Sequence, residues 1–111
     1  MEENISRDRQ AELMLGLAQT YLSAGDLETA GKGFEEIVGL FTDGSKPRLL
    51  TEALMGLALS LVHRRRLEEG RKAIDRAWND STGESGLLRG RVGRVLGLVQ
   101  GLQGQLEEGL T

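Results

Sequence analysis

Gly25-Asp26-Leu27-Glu28-Thr29-Ala30, Arg65-Arg66-Leu67-Glu68-Glu69-Gly70 and Gly104-Gln105-Leu106-Glu107-Glu108-Gly109 are three versions of one phrase. Leu27 to Leu67 is 40 residues and Leu67 to Leu106 is 39. The match reaches upstream, where Gly16-Leu17-Ala18, Gly56-Leu57-Ala58 and Leu96-Gly97 fall in the same register. Self-similarity at a fixed period of this size marks supersecondary units that stack, because none buries its apolar face alone. Stacks of this kind usually bind rather than catalyse.

On either side of the first phrase, apolar residues recur at helical steps. Leu13, Met14, Leu17, Ala18, Tyr21 and Leu22 share one face of an amphipathic helix. Ser6 is its expected N-cap and Gly25 its left-handed stop. Asp26 is placed to cap a second helix carrying Leu27, Ala30, Phe34, Ile37 and Leu40/Phe41. After Thr42-Asp43-Gly44, Ser45 is the expected cap of a third helix, with Pro47 in its first turn. That helix carries Leu50, Leu54, Leu57, Ala58, Leu61 and Val62 and ends near His63-Arg64-Arg65-Arg66, where cations complement the helix dipole. A fourth uses Leu67, Ala73, Ile74, Ala77 and Trp78, followed by a polar loop over 79–86. A fifth is expected from about Leu87 to Leu102, then a turn and the first residues of a sixth, with Leu106 and Leu110. No strand signal appears, so the expected class is all-α.

Composition bounds the work such a fold does. The chain of 111 residues is 39% hydrophobic and 28% charged, with no apolar run long enough to span a bilayer. The acidic start Met1-Glu2-Glu3-Asn4 is unlike a secretory signal. With no Cys there are no disulfides or thiolate metal sites, which suits a reducing compartment and makes the cytoplasm the expected location. The net charge of −3 is uneven. Residues 1–44 hold nine acids against three bases, and residues 45–111 hold eleven bases against eight acids. An acidic chain lacks the clustered cations that nucleic-acid binding requires. Arg64-Arg66, Arg89, Arg91 and Arg94 have no interleaved aromatics for stacking. Neither a nucleic-acid nor a membrane partner is expected.

Small residues fall where paired helices approach: Ala18, Ala58 and Gly97 in the first helices, Ala30, Gly70 and Gly109 in the second. Leu17, Leu57, Leu96, Phe34 and Ile74 fill the space between them. Here the chain resembles the tetratricopeptide repeat family. The first copy carries the pattern best, as Leu17-Ala18-x2-Tyr21-x3-Gly25-Asp26-x3-Ala30-x3-Phe34. The second gives Leu57-Ala58-x2-Leu61, Gly70, Ile74 and Ala77, with Arg65 at the turn glycine's place. The spacing exceeds the family's usual period of about 34 and is similar to its longer variant repeats. The resemblance implies a right-handed stack of antiparallel helical hairpins, about two and a half repeats in one domain. Repeat one covers about 7–44, repeat two about 45–84 and a partial third about 85–111.

The resemblance also implies where a partner sits, since such repeats hold an extended peptide or a partner helix on the inner surface of each first helix. In copy one that face carries Glu12, Leu15, Gln19 and Leu22. Copy two places Glu52, Met55, Leu59 and Val62 there, with His63 at its end, and copy three Arg91, Arg94 and Leu98. Leu15, Met55, Leu59 and Leu98 make an apolar floor between acids at one end and arginines at the other. Such a groove suits an amphipathic helix or hydrophobic peptide, and Met55 tolerates varied shapes. Otherwise the same residues cover the chain's own termini or a neighbouring copy. The Lys and Asn clamp with which some members hold a C-terminal carboxylate is absent, because Leu15, Gln19, Glu52 and Gly56 occupy those places.

Gly86, Gly90, Gly93, Gly97, Gly101 and Gly104 line one side of the fifth helix. Each costs about 1 kcal/mol of helix stability relative to Ala, so something is expected to approach closely. Helix four, around Ala73, Ala77 and Trp78, is one occupant and a second copy the other. The last hairpin is expected to be covered by a second copy as a homodimer, by another protein or by further chain. For catalysis the residues are unpromising. One His, no Cys and no phosphate loop leave no recognisable nucleophile, base pair or cofactor site. The expected function is a non-catalytic adaptor that binds a protein or peptide without a cofactor. The alternative is a homo-oligomerising module or a piece of a larger repeat-containing regulator.

Overall fold

The computed structural model describes residues 2–84 and 86–109, with side chains for 6–84 and 86–107. Among these residues the chain forms five α-helices and no strand. They are α1 (Glu2–Ser23), α2 (Leu27–Leu40), α3 (Arg48–His63), α4 (Leu67–Asp80) and α5 (Gly86–Gly109). The all-α expectation holds.

The 40-residue period is written into the backbone hydrogen bonds. At the α1–α2 junction the Ala24, Gly25 and Asp26 amides donate to the carbonyls of Thr20, Leu22 and Tyr21 at 3.0, 3.1 and 3.0 Å. Arg64, Arg65 and Arg66 repeat the pattern toward Ser60, Val62 and Leu61 at 3.1, 3.0 and 2.8 Å. This is the paired closure that ends a helix with one left-handed residue. That residue is Gly25 at φ 84° in the first hairpin and Arg65 at φ 64° in the second. Asp26 caps α2 by accepting from the Thr29 amide at 3.3 Å, whereas Arg66 supplies no side-chain cap to α4. Both second helices run 14 residues. Connections this short return each helix antiparallel along its predecessor.

Helix α3 packs against all four other helices, and consecutive helices pack on one another. Its sequence explains the position. Leu49, Leu50, Ala53, Leu54, Met55, Ala58, Leu61 and Val62 leave almost no polar face, so it is covered on most sides. The core runs through Phe34, Ile37, Phe41, Leu50, Ile74, Val92 and Val99, all fully buried. Where backbones come close the residues are small. A β-carbon on Gly33 would stand 3.1 Å from that of Ala18, and one on Gly70 would stand 3.2 Å from the Ala58 carbonyl. Gly70 is thus the expected contact, and in the first hairpin Ala30 is fully buried as expected while Gly33 adds a close approach to Ala18.

Several local expectations give way. Helix α1 is already formed at Glu2, so Ser6 lies inside it and does not cap it. Ser45 does not cap α3. Its amide and hydroxyl both turn to Asp43 Oδ1, at 3.2 and 2.6 Å, and Pro47 at ψ 162° is the capping residue. The larger correction concerns the third phrase. Gly104-Gln105-Leu106-Glu107 lies inside α5, which runs unbroken from Gly86 to Gly109, so no turn and no sixth helix form there. Among the described residues the left-handed glycines are Gly25 and Gly44, and Gly104 is not one of them. Leu110, expected on that sixth helix, lies outside the described residues. The glycine stripe does not dock on helix four as a whole. A β-carbon on Gly93 would stand 3.3 Å from Trp78 Cζ3, whereas at Gly86, Gly90, Gly97, Gly101 and Gly104 it would face open space.

Candidate functional site

Helices α1, α3 and α5, the first helices in the repeat register, lie side by side. Their common face encloses an open concavity of about 290 Å³. Gln19 and Leu22 of α1, Glu52, Met55, Gly56 and Leu59 of α3, and Arg91, Arg94 and Val95 of α5 line it. Phe34 reaches its floor from α2. The ring gets there because Gly56 has no side chain, since a β-carbon at that position would overlap the ring.

Seven residues expected on the inner face therefore come together: Gln19, Leu22, Glu52, Met55, Leu59, Arg91 and Arg94. Glu12 is exposed on α1 and does not line the hollow. Leu15 is buried in the core. Val62 is also buried, and its Cγ2 stands 2.8 Å from the β-carbon position of Gly70, so it serves the α3–α4 contact instead. Leu98 is 46% exposed and lies outside the hollow. The pattern has a geometric cause. The concavity joins the C-terminal half of α1 to the middle of α3 and the N-terminal half of α5. The lining spans residues 19–22 of α1 and 91–95 of α5, so Glu12 and Leu98, further along those helices, fall outside it.

Phe34 and Val95 complete the lining and were not expected there, and Gly56, noted as one of the places of the missing clamp, joins them. Gly56 carried a readable signal, because a glycine within an apolar helix weakens it unless another group needs the room. Phe34 and Val95 are ordinary core-type residues, and nothing in the sequence separates them from their buried neighbours.

Glu52 is the polar centre of the site. Its side chain is 15% exposed and accepts from Arg91 Nη1 at 3.3 Å, with Arg48 Nε at 3.8 Å. The Arg91 bond ties α5 to α3. Arg94, one turn further along α5, is exposed and has no carboxylate or hydrogen-bond partner among the described residues. The third arginine of that segment is already engaged. Arg89 lies over the Trp78 ring at 3.6 Å from its centroid and donates to the Trp78 carbonyl at 2.7 Å. It closes the C-terminal end of α4, where a cation suits the dipole.

Among the described residues no three His, Cys, Asp or Glu side chains gather into a metal-ligating group. No helix there is long and apolar enough to cross a membrane. His63 is exposed at the end of α3 and is not among the residues lining the concavity. The architecture thus defines an all-α protein with a charged-rimmed hollow across three neighbouring helices. Compared with known protein families, with curated proteins and with solved structures, the chain matches none.

Proposed function

We propose that this chain is a non-catalytic interaction module, a tetratricopeptide-like stack that holds a peptide or partner helix in its concave face. The observation carrying this reading is the concavity itself. Leu22, Met55, Leu59, Val95 and Phe34 give it an apolar floor, and Glu52, Arg91 and Arg94 give it a charged rim. A partly apolar hollow edged by a few fixed charges is how helical surfaces receive an amphipathic segment. The two hairpin turns that repeat at a 40-residue offset support the stacked, repeat-built reading. The absence of Cys suits work in the cytoplasm.

The test is binding by variants that alter the hollow without unfolding the chain. Met55 is 5% exposed, and a carboxylate there would break the core. Leu59 is half-buried and Gln19 exposed, so Leu59→Glu and Gln19→Trp are the informative changes. Both are expected to abolish capture of peptides selected on the wild-type chain while circular dichroism stays unchanged. Binding retained by both would refute the groove.

A second reading is homo-oligomerisation, and one observation favours it. Leu13, Leu17 and Tyr21 form an exposed ridge on α1, at 72, 59 and 37% exposure. Their counterparts 40 residues on include Ala53 and Leu61, which are buried. Sedimentation discriminates, because an obligate oligomer loses helix content on dilution and a groove-binding monomer does not.

A further inference from the structure

We infer that the concavity selects segments in which a carboxylate lies within a helical turn of a bulky apolar residue, and that Arg94 reads that carboxylate. The inference rests on the groove reading and adds the chemistry of the occupant. The apolar partner of such a segment enters the hollow between Leu22, Met55 and Leu59.

The charges of the rim are unequal in availability. Glu52 is shielded and already answered by Arg91 and Arg48, so it has little capacity left for an incoming cation. Arg91 is committed to Glu52 at 3.3 Å. Arg94 lines the same hollow, is exposed, and has no partner among the described residues. The Glu52, Arg48 and Arg91 group carries one net positive charge, and Arg94 adds another. The field at this rim therefore favours an anion and repels a lysine or arginine placed there.

The guanidinium offers a planar fork of donors matched to a carboxylate. Its neighbours Leu22, Met55, Leu59 and Val95 are apolar. A segment seated on them shields the pair from water, which makes it stronger than a fully exposed ion pair. Separations of three or four residues bring two side chains to one face of a helical segment. One anchor then fills the hollow while the acid faces Arg94.

The test pans a phage-displayed library of random peptides on the intact chain and measures binding of the selected synthetic peptides by fluorescence anisotropy. Selected sequences are expected to pair Asp or Glu with Leu, Ile, Phe or Met at about one helical turn. Arg94→Glu is expected to weaken them about tenfold or more, with reduced salt dependence of the remainder. Panned afresh, the Arg94→Glu chain is expected to select basic residues at the same spacing. Arg94 is exposed, so its variants keep the fold. Peptides without acidic enrichment, or bound equally by wild type and Arg94→Glu, would overturn the assignment. If Gln19→Trp abolishes binding and Arg94→Glu does not, the groove stands and Arg94's role falls. A library without binders, or binders indifferent to Gln19→Trp and Leu59→Glu, overturns groove and assignment together.

Discussion

Arg65 occupies the left-handed conformation, φ 64°, that Gly25 occupies at φ 84° forty residues earlier. Both close their helix with the same three backbone hydrogen bonds. The second hairpin therefore forms its turn against a steric cost that the first avoids, about 1 kcal/mol for a residue with a β-carbon.

Arg65→Gly is accordingly expected to stabilise the protein. Arg65 is exposed and makes no ion pair among the described residues, so little is lost with its side chain. Glycine's greater freedom in the unfolded chain offsets part of the gain, leaving about 0.5–1 kcal/mol. Urea denaturation checks this through a higher midpoint with an unchanged slope. A lower midpoint would mean that the turn is not strained.

Glycine to alanine changes are expected to have opposite signs on α3 and α5. At Gly56 the new methyl would overlap the buried Phe34 ring, which has no room to retreat, so Gly56→Ala should destabilise by about 1–3 kcal/mol. At Gly97 and Gly101 a methyl meets nothing within 4 Å. There the helix-propensity gain of about 1 kcal/mol per site is unopposed. Thermal melts of the three variants, monitored at the helix band, separate the cases. A loss of stability at Gly97 or Gly101 would show that the open face of α5 is covered in solution.

Acid should weaken the tie between α1 and the α2–α3 loop. Asp43 is held well below the usual carboxylate range, first by the Ser45 hydroxyl and then by Arg7, whose Nη1 donates to Oδ2 at 3.0 Å. A depressed carboxyl pKa stabilises the fold above its unfolded value of about 3.9 and loses that contribution as pH falls below it toward the folded value. Melting temperature is thus expected to fall on acidification below about pH 4, and less steeply in Asp43→Asn. Parallel curves for wild type and Asp43→Asn would remove Asp43 from the account. Arg7 also lies over the Phe41 ring, 4.7 Å from its centroid, a contact that does not depend on Asp43 being charged.

Much of the local structure was legible because it depends on neighbours in the chain. The ends of α2, the Asp26 cap and the left-handed Gly25 follow from residues within a turn of one another. The period of 40 foretold the second hairpin, even with arginine at its turn. The third phrase misled because its glycine is ambiguous. Gly104 stops a helix only where it takes the left-handed conformation, and here the backbone stays helical through it as α5. Ser45 misled because a short hydroxyl has several local partners open to it, and here it takes Asp43 Oδ1 instead of a first-turn amide of α3.

For the site, the residue types were legible and their assembly was not. Helical spacing put Gln19, Leu22, Glu52, Met55, Leu59, Arg91 and Arg94 on inner faces, and the structure joins all seven. It also sends Leu15 and Val62 into the core and leaves Glu12 and Leu98 outside. Periodicity measures angle around one helix axis, so the sequence alone determined where two helices turn back and that the chain is all-α. It did not determine which apolar side chains are covered: Leu13, Leu17 and Tyr21 of the face expected on α1 stand exposed, while Ala11 and Leu15 are buried. How neighbouring helices slide and cross is decided by side-chain volumes meeting at a distance, as Phe34 does over Gly56. That packing drew the hollow and left Arg94 unpaired beside an answered Glu52.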